Sequence, residues 1–321
     1  LEFRRVLFRS AETADHLSSL GLDEGMALPL DADEAKQVCA ISQSGVWLPR
    51  GASLNLFNAT IQALKNHDLL TSLWNTRVTR LENRNDQWFL FDEKNEVILS
   101  ADRLVIAAAM ESKALLSSIG IRVPLKPVRG QLSIFSIKQN DPWVEKLPNV
   151  GISGDGYCIP AEKMADGSYR WIVGSTFDEG EDDLSSRDAS DEFNREQAKG
   201  LVDYAQGKSE GLQKLGDFVG VRCVAGDRLP MIGALTQRPG IYLATALGSR
   251  GALWSALAAK LISAQVLGED LALLARFGFA ADLVAALAPA RFFAGALAAP
   301  AALGALASNS KPVLPSAPNT R

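Results

Sequence analysis

The segment Ile241–Ala246, followed by Gly248-Ser-Arg-Gly251, constrains the fold of this chain more than any other. The apolar run predicts a buried strand, and the Ala/Leu-rich stretch 252–267 predicts a helix. Two glycines at the junction allow the backbone to approach a ligand closely. The helix N terminus favours an anion, either a phosphate or a cofactor edge that becomes negative on reduction. A tight connection without a ligand is the alternative interpretation.

A second block of sequence, Gly220–Gly233, comes shortly before this turn. Arg222 comes at the end of an apolar segment there, and the sequence Asp227-Arg-Leu-Pro-Met-Ile-Gly follows shortly after it. An arginine in such a position can hold a carboxylate in two-point geometry. The alternative is a structural arginine that pairs with Asp227 or with an acidic loop.

Composition narrows the class of protein. Lys plus Arg number 33 and Asp plus Glu 37, and the net charge of -4 lacks the basic balance typical of a nucleic-acid-binding surface, although a local patch is compatible with it. The three cysteines, Cys39, Cys158 and Cys223, are far apart in sequence, which indicates reduced thiols of a cytoplasmic protein. With only two histidines, we expect no metal site built by the protein.

The first half of the chain predicts mixed α/β structure. Val46–Pro49 is typical of a short strand, and the apolar spacing after Ser53 predicts a helix over 54–66 with Ser53 as its N-cap. The continuous apolar run Arg103–Ala109 predicts a strand in the interior of a parallel sheet. An antiparallel β-meander is expected over Thr76–Leu81, Gln87–Asp92 and Val97–Leu99.

The second half begins with a β-rich region. Its expected strands are Gly130–Ile137, Tyr157–Pro160 and Tyr169–Gly174. The acidic, Ser-rich stretch 178–191 predicts a solvated loop that runs into a helix at 189–205. The apolar stretch Phe292–Ala307 is too short, and too interrupted by Pro300, to span a bilayer as one helix.

These elements predict an α/β (α+β) fold with an antiparallel β-meander and a second, β-rich domain over about 123–229. Residues 1–10 are interpreted as a foreign or mistranslated junction, with a short strand or helix of the protein itself as the alternative.

Several motifs occur in one order along the chain, and together they are far more specific than any one alone. They are Pro127–Ser133, Gly154–Pro160, Val173–Asp178, Gly220–Gly233, Gly248–Gly251 and Leu283–Phe292. The series resembles the C-terminal oxidoreductase half of the bifunctional tRNA 5-methylaminomethyl-2-thiouridine biosynthesis family, within the D-amino-acid oxidase and glycine oxidase superfamily. The resemblance covers roughly residues 30–292 and implies a D-amino-acid oxidase-like fold, with an incomplete FAD-binding, Rossmann-like domain and a β-rich substrate domain. The implied bounds are 11–44 for a remnant of the substrate domain, 45–122 for part of the FAD-binding domain, 123–229 for the substrate domain, 230–292 for the C-terminal part of the FAD-binding domain and 293–321 for a disordered tail.

The resemblance implies a flavoenzyme with FAD as its cofactor and the wobble uridine of a tRNA as its substrate. It also implies a fused methyltransferase domain in the full-length protein and no membrane partner. Arg222 would bind the substrate carboxylate, and Tyr157 would give a second contact or line the pocket; a core tyrosine is the alternative. The implied cofactor contacts are Gly248, Ser249, Arg250, Gly251, Val78 and Ala108.

The sequence departs from this family in one respect. FAD binding in the superfamily begins with a βαβ unit whose Gly-x-Gly-x-x-Gly turn holds the diphosphate, and these 321 residues contain no such glycine triplet. We therefore expect this polypeptide alone to bind FAD weakly or not at all. An oxidase of a free amino acid such as glycine or sarcosine, and an inactive fragment, remain the alternatives.

Overall fold

The computed structural model describes residues 2–5, 10–39, 41, 43–65, 69–154, 156–202, 212–271 and 281–293. The chain divides into two compact units. The first unit comprises Leu1–Leu70 and Arg129–Val221, and the second comprises Thr71–Val128 and Arg222–Arg321. The predicted tail at 294–321 lies outside the described residues.

A ten-stranded sheet forms the centre of the first unit. Its main path runs β13-β8-β12-β10-β9-β1-β3-β2, with β11 paired to β12 and β14 paired to β8. The strands are β1 (Glu2–Arg5), β2 (Leu28–Leu30), β3 (Gly45–Leu48), β8 (Leu125–Ile137), β9 (Gly151–Ser153), β10 (Tyr157–Cys158), β11 (Glu162–Lys163), β12 (Tyr169–Gly174), β13 (Asp178–Glu179) and β14 (Gln213–Ala225).

The core of the first unit is formed by side chains that alternate between the two faces of these strands. On β12 Trp171 and Val173 are buried, because side chains two residues apart point to the same face of a strand. Trp171 packs on Trp143, and their ring centroids lie 5.6 Å apart. The antiparallel pairing of β12 with β8 confirms the two strands expected there.

The helices of the first unit are α1 (Ser10–Ser19), α2 (Ala32–Cys39), α3 (Leu56–Lys65) and α5 (Asp188–Leu201). Helix α3 confirms the helix expected over 54–66, but the predicted cap is wrong. Asn55 Oδ1 accepts from the backbone N–H of Asn58 at 3.0 Å, so Asn55 and not Ser53 caps the helix. Asparagine supplies the same kind of acceptor as serine, two residues later.

The second unit contains two three-stranded sheets. Strands β4 (Arg80–Arg84), β5 (Gln87–Phe91) and β6 (Val97–Ala101) form the expected antiparallel meander. The first of them lies later than predicted, because Asn85 and Asp86 both have positive φ and form the two-residue turn of a hairpin. Pairing with β5 therefore extends to Arg84.

The other sheet of the second unit has the order β15-β16-β7, from β15 (Met231–Ala234), β16 (Ile241–Thr245) and β7 (Leu104–Ile106). β16 runs antiparallel to β15 and parallel to β7, so the parallel pairing expected for Arg103–Ala109 is confirmed. Its expected interior position is wrong for the described residues. β7 lies at the edge of this sheet, and Val105 is 47% exposed.

In the described part of the second unit the α-helices are α4 (Ser112–Ser118), α6 (Gly251–Leu267) and α7 (Ala281–Leu287). Helix α6 buries Leu257, Leu261 and Ile262 in a core shared with Ile232 of β15. It ends at Gly268, whose φ of 70° gives the left-handed turn that commonly closes a helix. The predicted helix over 252–267 is thus confirmed.

The structural units divide the chain at positions that differ from the predicted bounds. Residues 45–70 belong to the first unit and not to the predicted FAD-binding domain, because β3 pairs with β1 and β2. The other changes of unit fall within the continuous strands β8 and β14, at Arg129 and Arg222. Binding of substrate by the first unit and of FAD by the second stays a prediction.

Residues 2–5 take the form that the alternative interpretation expected. Strand β1 (Glu2–Arg5) pairs antiparallel with β3 and parallel with β9. The origin of residues 1–10 stays a prediction.

Candidate cofactor and substrate site

The glycine turn of the second unit joins β16 directly to α6. Gly248–Arg250 forms one turn of 3-10 helix, and α6 begins at Gly251. Gly248 has a φ of +59°, which favours glycine although a Cβ there would meet only Val224 at 3.8 Å. At Gly251 a Cβ would meet only Leu247, also at 3.8 Å. The space above the first turn of α6 is therefore open to a ligand.

The N terminus of α6 has the electrostatic character expected of an anion site. Among the described residues no side chain caps it, and its first turn holds no acidic residue. The 3-10 turn Gly248–Arg250 pairs part of the backbone N–H groups at this junction through its own hydrogen bonds, and the partial positive charge of the helix end faces the turn. The edge of a flavin ring, which gains negative charge on reduction, suits such a site. The predicted contacts Gly248, Ser249, Arg250 and Gly251 all lie on this turn.

The carboxyl ends of two parallel strands meet beside the turn. Leu243 of β16 is in register with Ile106 of β7, so Ala246 and Ala109 follow at the same edge of the sheet. Both alanines have positive φ, 58° and 47°. Such backbone strain in non-glycine residues concentrates at ligand sites. Ligands of open α/β sheets also bind outside the carboxyl ends of the strands.

Two predicted cofactor contacts line one cavity of the second unit. Val78 and Ala108 lie in its wall, with a volume of about 210 Å³. The other lining residues are apolar: Leu81, Leu90, Leu104, Val105, Ile106, Ala107 and Leu115. Complete small-molecule pockets measure roughly 300–1,000 Å³, so this cavity suits one part of a dinucleotide, such as a purine ring. A contact of either residue with FAD stays a prediction.

Arg222 lies on β14, where its side chain alternates with that of buried Cys223. The Asp227 carboxylate, which the alternative interpretation offered as the partner of Arg222, is held by Arg291. Arg291 Nε donates to Asp227 Oδ2 at 2.6 Å, and Nη2 donates to Oδ1 at 3.2 Å. Carboxylate binding by Arg222 stays a prediction.

Arg291 is a residue whose role the sequence did not predict. Besides Asp227, its guanidinium donates to the backbone carbonyls of Leu229, Leu287 and Ala288. It thereby joins two of the predicted motifs, Gly220–Gly233 and Leu283–Phe292. The only feature of the sequence that hinted at this contact was that both motifs belong to the same ordered series.

Tyr157, the second predicted substrate contact, lies in the first unit on β10. It is half-buried and stands opposite Gly174 in the antiparallel pairing of β10 with β12. A Cβ on Gly174 would come within 2.5 Å of Leu132 Cδ2, so the close approach of β12 to β8 requires glycine here. The contact of Tyr157 with a substrate stays a prediction.

The motif Pro127–Ser133 supplies the first unit with a buried cation. The Arg129 side chain is 0% exposed, and its Nη1 donates to Asp178 Oδ2 at 2.9 Å. Nε and Nη2 donate to the carbonyls of Asp183 and Ser185. The acidic stretch at 178–191, expected to be a solvated loop, is therefore anchored to the core by Arg129. Residues 179–186 are exposed, so the solvated loop is confirmed, as is the helix that follows it, α5.

A second set of polar contacts continues this network. Gln131 Nε2 and Ser133 Oγ both donate to Asp191 Oδ1, at 2.9 Å and 2.6 Å. Lys214 lies 2.5 Å from Asp191 Oδ2 and 2.9 Å from Asp217 Oδ2. Hydrogen bonds to Asp191 and then to Asp217 raise the pKa of Lys214 above its ordinary value. The network fixes α5 and β14 against β8.

Two further findings concern classes of site. In the described ranges, no group of three His, Cys, Asp or Glu side chains is placed to hold a metal ion. The search of those same ranges for a helix long and apolar enough to cross a membrane found none.

A helix N terminus at the carboxyl ends of parallel strands, in a unit that also holds a cavity of partial-ligand size, is typical of proteins that bind a nucleotide cofactor. The sequence profile of the FAD dependent oxidoreductase family (DAO) matches residues 4–265, and the chain belongs to this family. The α/β fold, the oxidoreductase class and FAD as the family's cofactor, all predicted from the sequence, are confirmed by this match.

Curated relatives support the finer resemblance. Over 314 residues the chain is 31% identical to the tRNA 5-methylaminomethyl-2-thiouridine biosynthesis bifunctional protein MnmC of Burkholderia multivorans, covering 90% of this chain and 45% of that protein. The protein of the same name from Ralstonia nicotianae is 31% identical over 319 residues, covering 90% and 46%. The chain thus spans about half the length of the curated relatives it matches.

Solved structures with a similar fold are more distant in sequence. Glycine oxidase from Geobacillus kaustophilus superposes with a TM-score of 0.65 at 18% identity, over 84% of this chain and 71% of that one. Iminodiacetate oxidase from Chelativorans sp. BNC1 gives 0.63 at 18% identity, over 84% and 72%. At these identities the similarity establishes the fold alone.

Proposed function

We propose that this chain carries the FAD-dependent oxidative removal of the carboxymethyl group from 5-carboxymethylaminomethyl-(2-thio)uridine at the wobble position of tRNA. The observation that carries the proposal is the arrangement of the second unit. The strand of Arg222 and the strand that leads into the Gly248–Gly251 turn are joined by a contact of 3.6 Å between Cys223 Sγ and Thr245 Oγ1. A carboxylate-binding arginine and a flavin-binding turn thus belong to one packed structure.

The substrate group is an N-substituted glycine, whose α-carbon loses a hydride while its nitrogen loses a proton, so that a C=N bond forms. FAD, when bound, accepts the hydride and supplies the electron sink. Water adds to the C=N carbon, and breaking of the C–N bond releases glyoxylate and the aminomethyl uridine.

The residues of the chain contribute mainly orientation and electrostatics. Arg222 of the second unit holds the glycine carboxylate. Tyr157 of the first unit is the second candidate for contact with the substrate. The N terminus of α6, at Gly251, stabilises negative charge on the reduced ring. None of these residues needs to act as a general base, because hydride transfer from a neutral amine depends chiefly on orientation.

The proposed partners follow from the relatives. The relatives are named as bifunctional proteins of tRNA 5-methylaminomethyl-2-thiouridine biosynthesis, and this chain spans about half of their length. We therefore propose tRNA as the substrate, a fused methyltransferase domain in the full-length protein and a cytoplasmic location. The low positive charge of this chain is compatible with tRNA if the fused domain brings most of the basic surface.

The test compares substrates at saturating FAD. The chain is incubated with an anticodon stem-loop that carries 5-carboxymethylaminomethyluridine, with the same stem-loop unmodified, and with free glycine and sarcosine. We expect glyoxylate from the modified stem-loop only. Glyoxylate from the free amino acids but not from RNA would establish the free amino acid oxidase instead. Flavin binding without glyoxylate from any of them would overturn the proposed reaction.

A further inference from the structure

Thr245 lies at the centre of the candidate site, between three segments of the second unit. Its hydroxyl donates to the Ala109 carbonyl at 3.1 Å, across the gap between the ends of β16 and β7. Cys223 Sγ of β14 lies 3.6 Å from the same hydroxyl oxygen. Because the hydroxyl has a single hydrogen and gives it to Ala109, the thiol of Cys223 is the donor to Thr245. The contacts form a relay from Cys223 through Thr245 to Ala109.

Burial makes this relay a strong constraint on the backbone. Thr245 is 1% exposed and Cys223 is 5% exposed. A buried carbonyl or hydroxyl that loses its partner is costly, because no water replaces the hydrogen bond. Desolvation raises the pKa of the Cys223 thiol, so it stays protonated and able to donate at neutral pH.

The relay ends at the strained residues of the site. Ala109, which accepts the hydroxyl, has a φ of 47°, and Ala246, which follows Thr245, has a φ of 58°. Such conformations persist only where the surrounding structure determines them. On the third segment, Arg222 immediately precedes Cys223. The relay therefore connects the candidate substrate arginine to both strand ends at the candidate cofactor turn.

We propose that Thr245 is a positioning residue, which sets the spacing between the Arg222 strand, the Gly248–Gly251 turn and the Ala107–Ala109 segment. The inference rests on the proposed function for its effect on the flavin, but the spacing itself belongs to this chain. Without the hydroxyl the two strand ends lose their link, and the alanines relax towards ordinary backbone conformations. Ligand contacts on either side then move apart.

The test uses Thr245→Val, which keeps the shape and removes the hydroxyl, and Thr245→Ser, which keeps the hydroxyl. Ser118→Ala is the matched control, because Ser118 Oγ of α4 also donates to a backbone carbonyl, that of Leu115, in the same unit. Amide hydrogen exchange is measured on all four proteins without added cofactor. We expect Thr245→Val to speed exchange at both 109–112 and 246–252, and Ser118→Ala and Thr245→Ser to leave both segments near wild type.

Titration with FAD gives the second measurement. Thr245→Val should weaken FAD binding about tenfold, the loss expected when a buried hydrogen bond of about 1.4 kcal/mol is removed, and Thr245→Ser should restore it. Unchanged exchange at both segments in Thr245→Val would overturn the positioning role. Faster exchange at both segments, with FAD binding absent from every protein, would support the relay and count against the proposed flavin site.

Discussion

Arg291 donates to both carboxylate oxygens of Asp227, and its side chain is 6% exposed while that of Asp227 is 34% exposed. This pair joins the block that carries Arg222 to the last described motif of the second unit. The guanidinium also stacks over the ring of Phe292, 4.3 Å from its centroid. The two motifs are therefore parts of one structure, although more than one element separates them along the chain.

Replacement of Arg291 should destabilise the second unit. Arg291→Met leaves the Asp227 carboxylate and several backbone carbonyls without their donor, so we expect a loss of about 2–3 kcal/mol in the free energy of unfolding. Urea denaturation measures it. The control is Arg84→Met, which removes an exposed ion pair with Glu82 and should cost far less than the loss of Arg291. Equal losses in the two variants would contradict the structural role of Arg291.

Arg129 should be the most sensitive arginine of the first unit. Arg129→Met removes a fully buried cation from Asp178 and from the loop carbonyls, with an expected cost of about 3–5 kcal/mol. Limited proteolysis should then cut within 178–188, because the loop has lost its anchor. Arg170→Met, at an exposed pair with Glu162, provides the comparison and should leave the loop resistant. A protected loop in Arg129→Met would show that other contacts hold it.

Arg222 should control substrate affinity more than turnover. Arg222→Lys keeps the charge but loses the two-point geometry, so KM for the N-carboxymethyl substrate should rise about tenfold or more, with a smaller change in kcat. Steady-state kinetics at saturating FAD measure both constants. Arg122→Lys, an exposed arginine of the same unit, is the control. If both variants match the wild-type protein, Arg222 does not bind the carboxylate.

Acid should destabilise the β-meander through Glu82. Hydrogen bonds from Arg84 and Arg80 lower the pKa of Glu82 to about 2 from its ordinary value of 4.5. A lowered folded-state pKa gives stability that is present above pH 4.5 and is lost as the pH falls towards about 2. The free energy of unfolding should therefore decline with pH in this window, and less steeply in Glu82→Gln. An identical slope in both proteins would contradict a role for this carboxylate.

The sequence predicted the elements that depend on local pattern. The helix 252–267, the strand at 169–174 and the glycine turn between β16 and α6 all follow from apolar periodicity and from glycines at a junction. The parallel pairing of β7 was predicted from the apolar character of Arg103–Ala109, but neither its partner β16 nor its position at the sheet edge was. In each of these cases the sequence of one local segment was sufficient for the prediction.

Long-range contacts were beyond the same reasoning. Asp227 pairs with Arg291, Arg129 anchors the acidic loop, and the Thr245 hydroxyl bonds to the Ala109 carbonyl. No local sequence pattern predicts any of these contacts. The changes of unit at Arg129 and Arg222 fall within the continuous strands β8 and β14, so the strand pattern itself carries no break there. They lie within seven residues of the predicted bounds at 123 and 229, and Pro124 and Pro127 stand just before the first of them.

The open space above Gly251 leads to a direct test of the candidate flavin site. Gly251→Leu fills this space at the first residue of α6, where a Cβ meets no backbone clash. Ala256→Leu, at an exposed position of the same helix, is the matched control. Neither substitution should change the free energy of unfolding, measured by thermal denaturation, by more than about 0.5 kcal/mol, as for other surface positions.

Titration of the purified chain with FAD, followed by flavin fluorescence, is the measurement that bears most directly on the proposed site. We expect weak, substoichiometric retention of FAD on purification, because the diphosphate-binding glycine triplet is absent from these 321 residues. Added FAD should bind to the wild-type chain and to Ala256→Leu with the same affinity, and to Gly251→Leu at least tenfold more weakly. Equal affinity of all three proteins would contradict the placement of the flavin at the Gly248–Gly251 turn.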